Sequence, residues 1–252
     1  MLMLIGIGIE TGDISVRALE AAKQAKKLYL DSYTAPITSE YLSFLENRTG
    51  KKIHGLDRHA LEENAKKLVN EAVREDIAIF FVGDPLIATT HHTILDLSKK
   101  EGVQTSVYHA PSIFSIAIGE SGLDIYKFGP TTTIPFWSKN YKPTSFVDVI
   151  TRNSKNGEHT LVLVDVDSKN NSTMGAQEAL TLLAAACAEK TVTLGKILLV
   201  GNAGCADQKI LCVEFSKAEK HAHDFSGKKL SIIVPAAMNF AEEDAIKRFS
   251  TS

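Results

Sequence analysis

Short runs of aliphatic and β-branched residues alternate along this chain with stretches whose apolar positions recur at helical spacing. Leu2 to Ile9 reads as a strand, and Ser15 to Lys27 as a helix opened by Asp13 or Ser15, with Val16, Leu19 and Ala22 or Lys23 in step. Leu28 to Leu30 is the next strand. From His59 to Arg74, the residues Leu61, Ala65, Leu68, Val69, Ala72 and Val73 share one face, so an amphipathic helix leads into the apolar strand Ile77 to Val82. A helix follows over Thr93 to Lys100 and a strand over Gln104 to Val107. Further on, Thr160 to Val166, Lys196 to Val200 and Leu230 to Val234 read as strands, with a helix from about Met174 to Glu189. The alternation up to Val107 predicts an α/β fold with a parallel sheet covered on both faces. The segment Phe128 to Val147, rich in Pro, Thr and aromatics, breaks the pattern and places the start of a second α/β unit near or before it. The expected division is 1–110 and 111–252.

At 252 residues the chain can bury one large core or two modest ones. It carries 28 basic against 30 acidic side chains with no basic block, which argues against gripping a phosphate backbone and hence against nucleic acid. Cys187, Cys205 and Cys212 are odd in number and lie in or beside apolar runs, which suits reduced thiols in the cytoplasm and no disulfide framework. The apolar start, MLMLIGIGIETGDIS, lacks a basic flank and meets two glycines and an acid early, so neither a signal peptide nor a membrane span is expected.

Three stretches carry candidate chemistry. The strand ending at Val82 stops at Gly83-Asp84-Pro85, and in open α/β sheets ligands bind outside the carboxyl ends of strands. There Gly allows close backbone approach, Asp offers an acceptor and Pro stiffens the turn, although the same tripeptide also makes an ordinary tight turn. Next come His91 and His92. Adjacent residues point to different sides and Asp96 forms no ligand pattern with them, so a helix start or solvated loop is expected and no metal site. Finally, Gly6, Gly8 and Gly12 give G-x-G-x-x-x-G after a strand, with Asp31 at the end of the next. The third glycine is one residue late for a dinucleotide fingerprint, so a ligand without a diphosphate suits this loop better.

Several segments together resemble one family. LIGIGIETGDISVRALEAAKQAKKLYLDSYT, FFVGDPLIATTHH, HAPSIFSIAIGESGLDIYKFGPTTTIPF and VGNAGCADQKI are similar, in order, to the diphthine synthase family of tetrapyrrole-methylase-like methyltransferases. The resemblance implies two α/β domains with S-adenosylmethionine in the cleft between them, and a homodimer. It also implies an acceptor, the amino group of a modified histidine on translation elongation factor 2. Carried over by position, the cofactor contacts are Ile9, Asp84 and Ile87, Ser112 and Ile113, then Leu163 and a residue near Val213. The family usually has a histidine where Asn239 stands; Asn keeps donor and acceptor capacity, but it also suits a cap for a helix starting near Ala241. No catalytic base is assigned, because a sulfonium methyl is already activated and the enzyme's task is to align it with a neutral amine. Archaeal members stop at the trimethylammonium and eukaryotic members continue to a methyl ester; the stretch PFWSKNYKPTSFVDVI resembles the eukaryotic pattern.

Two alternatives stand beside this reading. A porphyrinogen methyltransferase accepts a highly anionic substrate and calls for dense arginines in the cleft loops, whereas the arginines here are Arg17, Arg48, Arg58, Arg74, Arg152 and Arg248. A non-catalytic nucleotide-binding module is the other.

Overall fold

The computed structural model describes residues 1–33, 35, 37–167 and 172–250. It divides into two compact units, one holding Met1–Phe114 and Ser172, the other Ser115–Asp167 and 173–250.

The first unit alternates strands and helices: β1 (Leu2–Gly6), α1 (Val16–Gln24), β2 (Lys27–Asp31), α2 (Ser39–Thr49), β3 (Ile53–Leu56), α3 (Ala65–Ala72), β4 (Ile77–Phe81), α4 (His92–Lys100) and β5 (Thr105–Tyr108). The strands run parallel in the order β3-β2-β4-β1-β5. LMLIG and IAIFF, the sequences of β1 and β4, are buried throughout because helices cover both faces. Met3, Ile5, Ala78 and Phe80 pack with Ala18 and Ala22 of α1 and Leu45 of α2; Leu2, Leu4, Ile77, Ile79 and Phe81 pack with Leu68 and Val69 of α3 and Ile94 of α4. The helix expected from His59 begins later. His59–Glu63 is a π-type turn closed by Asn64 N–H on the His59 carbonyl at 2.8 Å, and Asn64 leaves helical geometry at φ −112° before α3 starts. Leu61 still buries its side chain, so the apolar pattern survives the change of winding.

In the second unit come α5 (Ile113–Ser121, its first two residues in the first unit), β6 (Thr132–Ile134), α6 (Ser145–Lys155), β7 (Thr160–Val164), the short strands β8 (Val166–Asp167) and β9 (Ser172–Thr173, its first residue in the first unit), α7 (Ala176–Glu189), β10 (Lys196–Gly201), β11 (Lys209–Glu214), α8 (Phe215–Ala218), β12 (Leu230–Val234) and α9 (Phe240–Lys247). The sheet order is β11-β10-β12-β7-β6. Only β6 and β7 pair in parallel; β10 is antiparallel to both β11 and β12, and β12 to β7. The expected parallel sheet is that of the first unit, whereas the sheet of the second is mixed. The reason is the short link from β10 to β11, which can close a hairpin but cannot make a crossover. Asn202 turns that link at φ +46°, and its Nδ2 donates to both oxygens of Asp207 at 3.0 and 2.9 Å.

Candidate functional site

Because β4, β1 and β5 are neighbours and parallel, the loops that leave their carboxyl ends lie side by side. The loop after β1 and the loop after β4 are stitched together: Gly8 N–H donates to the Gly83 carbonyl at 3.2 Å and Gly83 N–H to the Gly8 carbonyl at 2.7 Å. Gly8 sits at φ +77°, and a Cβ there would lie 2.1 Å from Cβ of Asp13. Asp13 does not cap α1 but closes the loop, its Oδ2 accepting from the N–H groups of Ile9 and Glu10 at 2.9 Å each; Ser15 is the cap, accepting from Ala18 N–H at 3.2 Å. The Tyr41 hydroxyl donates to the Ile7 carbonyl, and burial pushes that phenol's pKa well above its ordinary value.

Asp84 is buried, and its own chain engages both carboxylate oxygens. Oδ1 accepts from Leu86 N–H at 2.9 Å; Oδ2 accepts from Ala110 N–H at 3.2 Å and stands 2.8 Å from Nδ1 of His109. The carboxylate thus ties the loop after β4 to the loop after β5. Ser112 is buried, with its Cβ 3.6 Å from where a Cβ on Gly83 would sit, so bare backbone and a hydroxyl share one corner. Ile9 and Ile113 are half-buried and Ile87 is exposed, leaving three apolar side chains on the loops around that corner.

Between Ile87 and α4 the chain makes a feature that the sequence did not reveal. Ala88 takes φ +56°, and Tyr33, Ala88, Thr89, Thr90 and His91 line a recess of about 380 Å³. His91 stands at the start of α4 as expected, yet it is not solvated: it is 3% exposed. Its Nδ1 is 2.9 Å from the Pro85 carbonyl, its Nε2 is 3.7 Å from Oδ2 of Asp31, and its ring lies 4.2 Å from that of Phe81. His92 is exposed, and no cluster of three or more His, Cys, Asp or Glu suited to a metal occurs among the described residues. The TTHH run was the available signal; what it lacked was Asp31, remote in sequence.

In the second unit the structure places Leu163 on β7 opposite Ser231 of β12, half-buried. Val213 lies on β11 opposite Ile197, with its side chain in the hydrophobic core, and two strands separate it from β7. Asn239 caps α9, one residue earlier than the start expected at Ala241. Its Oδ1 accepts from Glu242 N–H at 3.0 Å while Oε2 of Glu242 accepts from Asn239 N–H at 2.9 Å, a reciprocal capping box. Glu242 is also the hub of a buried network. His159 Nδ1 accepts from Ala236 N–H at 2.9 Å, so its proton sits on Nε2 and is donated to Oε1 of Glu242 at 2.8 Å. Lys127 Nζ donates to Oε2 at 2.5 Å and Asp124 N–H to Oε1 at 3.0 Å. Burial alone would raise the Glu242 carboxyl; the hydrogen bonds from Lys127, the Asn239 backbone, His159 and the Asp124 backbone outweigh it and bring the pKa down to about 2. Burial is also the larger influence on His159 and lowers its pKa.

Residues 1–218 match the family model of tetrapyrrole (corrin/porphyrin) methylases. The chain is therefore a member of that class of methyltransferase. It is 37% identical to the diphthine synthase of Methanococcus aeolicus, over 98% of this chain and 97% of that one. It is 38% identical to the diphthine synthase of Methanothermobacter thermautotrophicus, over 97% and 93%. A crystal structure of diphthine synthase superposes with a TM-score of 0.89 at 28% identity, covering 99% of this chain and 95% of the other. The chain belongs to the diphthine synthase family, and it is a methyltransferase of diphthamide biosynthesis. No helix among the described residues is long and apolar enough to cross a membrane.

Proposed function

We propose that the methyl donor is S-adenosylmethionine and that the acceptor is the amino group of the modified histidine on translation elongation factor 2. The observation that carries this is the pair of loops joined at Gly8 and Gly83 beside the buried Ser112, at strand ends where Ile9, Ile87 and Ile113 also lie. These residues fit such a donor, which needs apolar contact for its adenine and polar contact for its amino-acid end and ribose. When bound, it supplies a methyl group already activated on a sulfonium. The protein's share is to hold, align and exclude water.

In this reading Ile9, Asp84, Ile87, Ser112, Ile113, Leu163, Val213 and Asn239 contact the donor. Asp84 does so through what its carboxylate has left beyond its own loop, and Asn239 through Nδ2, because Oδ1 is engaged in the cap. The functional domains are 1–110 and 111–252, the working form is a homodimer, and the setting is cytoplasmic. We assign the tetramethylated methyl ester as product on the stretch PFWSKNYKPTSFVDVI.

The deciding experiment incubates the protein with labelled S-adenosylmethionine and elongation factor 2 carrying the unmethylated intermediate, then weighs the modified peptide. Four added methyl groups support the full reading, and three restrict it to the trimethylammonium. A factor that gains no mass overturns it, and label transferred instead to a porphyrinogen establishes the competing activity.

A further inference from the structure

We propose that His109 receives the acceptor: its Nε2 accepts an N–H of the amine and so turns the nitrogen lone pair towards the methyl group. This rests on the proposed function, because a donor held at the corner of Gly8, Gly83 and Asp84 obliges the amine to come there too.

His109 is the first residue after β5, and side chain and backbone together clasp it to Asp84. Its Nδ1 stands 2.8 Å from Oδ2 of Asp84, and the same oxygen accepts from the N–H of Ala110, the next residue, at 3.2 Å. The other oxygen of Asp84 accepts from Leu86 N–H. A carboxylate that takes backbone donors on both oxygens accepts from the imidazole as well, which puts the hydrogen of the neutral ring on Nδ1 and leaves Nε2 with a bare lone pair. Among the described residues Nε2 has no partner. Asp84 is buried whereas the His109 side chain is 67% exposed, so the ring is anchored at its inner nitrogen and open at its outer edge. The other residues of the corner offer an amine little: Ile9, Ile87 and Ile113 are apolar, Ser112 is buried, and both oxygens of Asp84 hold the chain's own N–H groups.

Methyl transfer needs the lone pair of a neutral amine in line with the bond from sulfur to the methyl carbon, and an acceptor that holds an N–H of that amine fixes where the lone pair points. In the step the nitrogen pair forms the N–C bond while the C–S bond breaks and leaves its pair on sulfur. Nitrogen gains positive charge, so the N–H···Nε2 bond strengthens as the transition state forms and the contact raises kcat more than it tightens binding. The hydrogen stays on nitrogen throughout, and the methylated ammonium afterwards gives a proton to water. The contact has a limit set by the acceptor itself. An amine carrying one methyl group still has an N–H to offer; one carrying two has none. His109 therefore serves the first and second transfers and is idle in the third. A histidine placed only to hold Asp84 would use Nδ1 alone, and its loss would slow every transfer alike.

Single-turnover reactions test this, with S-adenosylmethionine saturating, elongation factor 2 carrying the unmethylated intermediate, and mass spectra timed to resolve each added methyl group. His109→Leu should slow the first and second transfers about tenfold and spare the third. His109→Gln should recover the first two, because its amide oxygen stands as far along the side chain as Nε2 and accepts. His109→Asn should not, because its amide nitrogen stands where Nδ1 does and can serve Asp84 alone. A leucine variant at wild-type rates, or one slowed equally in all three transfers, overturns the assignment. So does a glutamine variant that recovers nothing, or an asparagine variant as fast as the wild type, and this pair decides by itself should the leucine variant fail to fold. Wild-type protein that adds no methyl group to the factor sinks the functional reading and this proposal together, whereas an active wild type with indifferent variants sinks the proposal alone.

Discussion

Asp84 serves its own loop before it serves a ligand. With Leu86 N–H on one oxygen, and Ala110 N–H and His109 on the other, the carboxylate sets the separation of the loops after β4 and β5. Asp84→Ala leaves two backbone donors without their acceptor, so it should weaken S-adenosylmethionine binding by about 1–3 kcal/mol and lower the melting temperature as well. Asp84→Asn is not a neutral repair, because its NH2 group cannot accept from a backbone N–H. Calorimetry paired with thermal unfolding checks both effects, and an Asp84→Ala protein with wild-type affinity would remove the residue from the donor site. Asn239 poses the opposite case, a residue whose visible work is structural. Asn239→Leu breaks the capping box and should cost about 1 kcal/mol of stability, while Asn239→Asp keeps the acceptor and should not. If the leucine variant binds the donor normally per folded molecule, the cap is its whole role.

The element that defines the site is the tight loop from Gly6 to Ser15, and its glycines are there for stated geometric reasons. Gly8 combines a left-handed φ of +77° with a backbone bridge to Gly83 and leaves no room for a Cβ beside Asp13. Gly8→Ala should therefore destabilise the fold by about 1–3 kcal/mol and loosen the bridge to the loop after β4, read as faster hydrogen exchange at Gly83 N–H. This loop and GDP were legible in the sequence because each follows an apolar strand and carries residues with strong local preferences, whereas the run HAPSIF, after the half-buried strand TSVY, was singled out by the family resemblance alone. Central strands were legible for the same reason: β12 matches its expected bounds, and β1 and β4 fall within theirs. The losses have physical causes. The sequence of α5, IFSIAIGES, is apolar on every side and has little period, and α6 begins inside the Pro- and Thr-rich segment, although Phe146, Val147 and Ile150 repeat at helical spacing and could have betrayed it. The partnership of Asp31 with His91 and that of His159 with Glu242, 83 residues apart, depend on chain crossings that no local pattern encodes.

Over the molecule as a whole, burying charge ties stability to pH. In the second unit Glu242 collects donors from Asp124, Lys127, His159 and Asn239, joining the turn before β6, the start of β7 and the start of α9 through one carboxylate. Its pKa falls from the ordinary 4.5 to about 2, so the folded state holds the charged form more tightly than the unfolded chain does. Such a group contributes stability that is complete above 4.5 and is lost as the pH drops towards about 2. His159 acts in the same direction higher up: its depressed pKa means that below 6.5 the unfolded chain binds a proton that the folded one refuses. The wild type should therefore lose stability progressively on acidification. Glu242→Gln should be less stable at neutral pH, where Gln accepts at one oxygen alone and leaves the half-buried Lys127 without its ion-pair partner. It should also show a flatter dependence between pH 4.5 and about 2, because the group that drives the slope is gone. Urea unfolding at a series of pH values measures both, and a variant whose stability falls as steeply with acid as the wild type would show that other carboxylates, and not this hub, govern the acid limit.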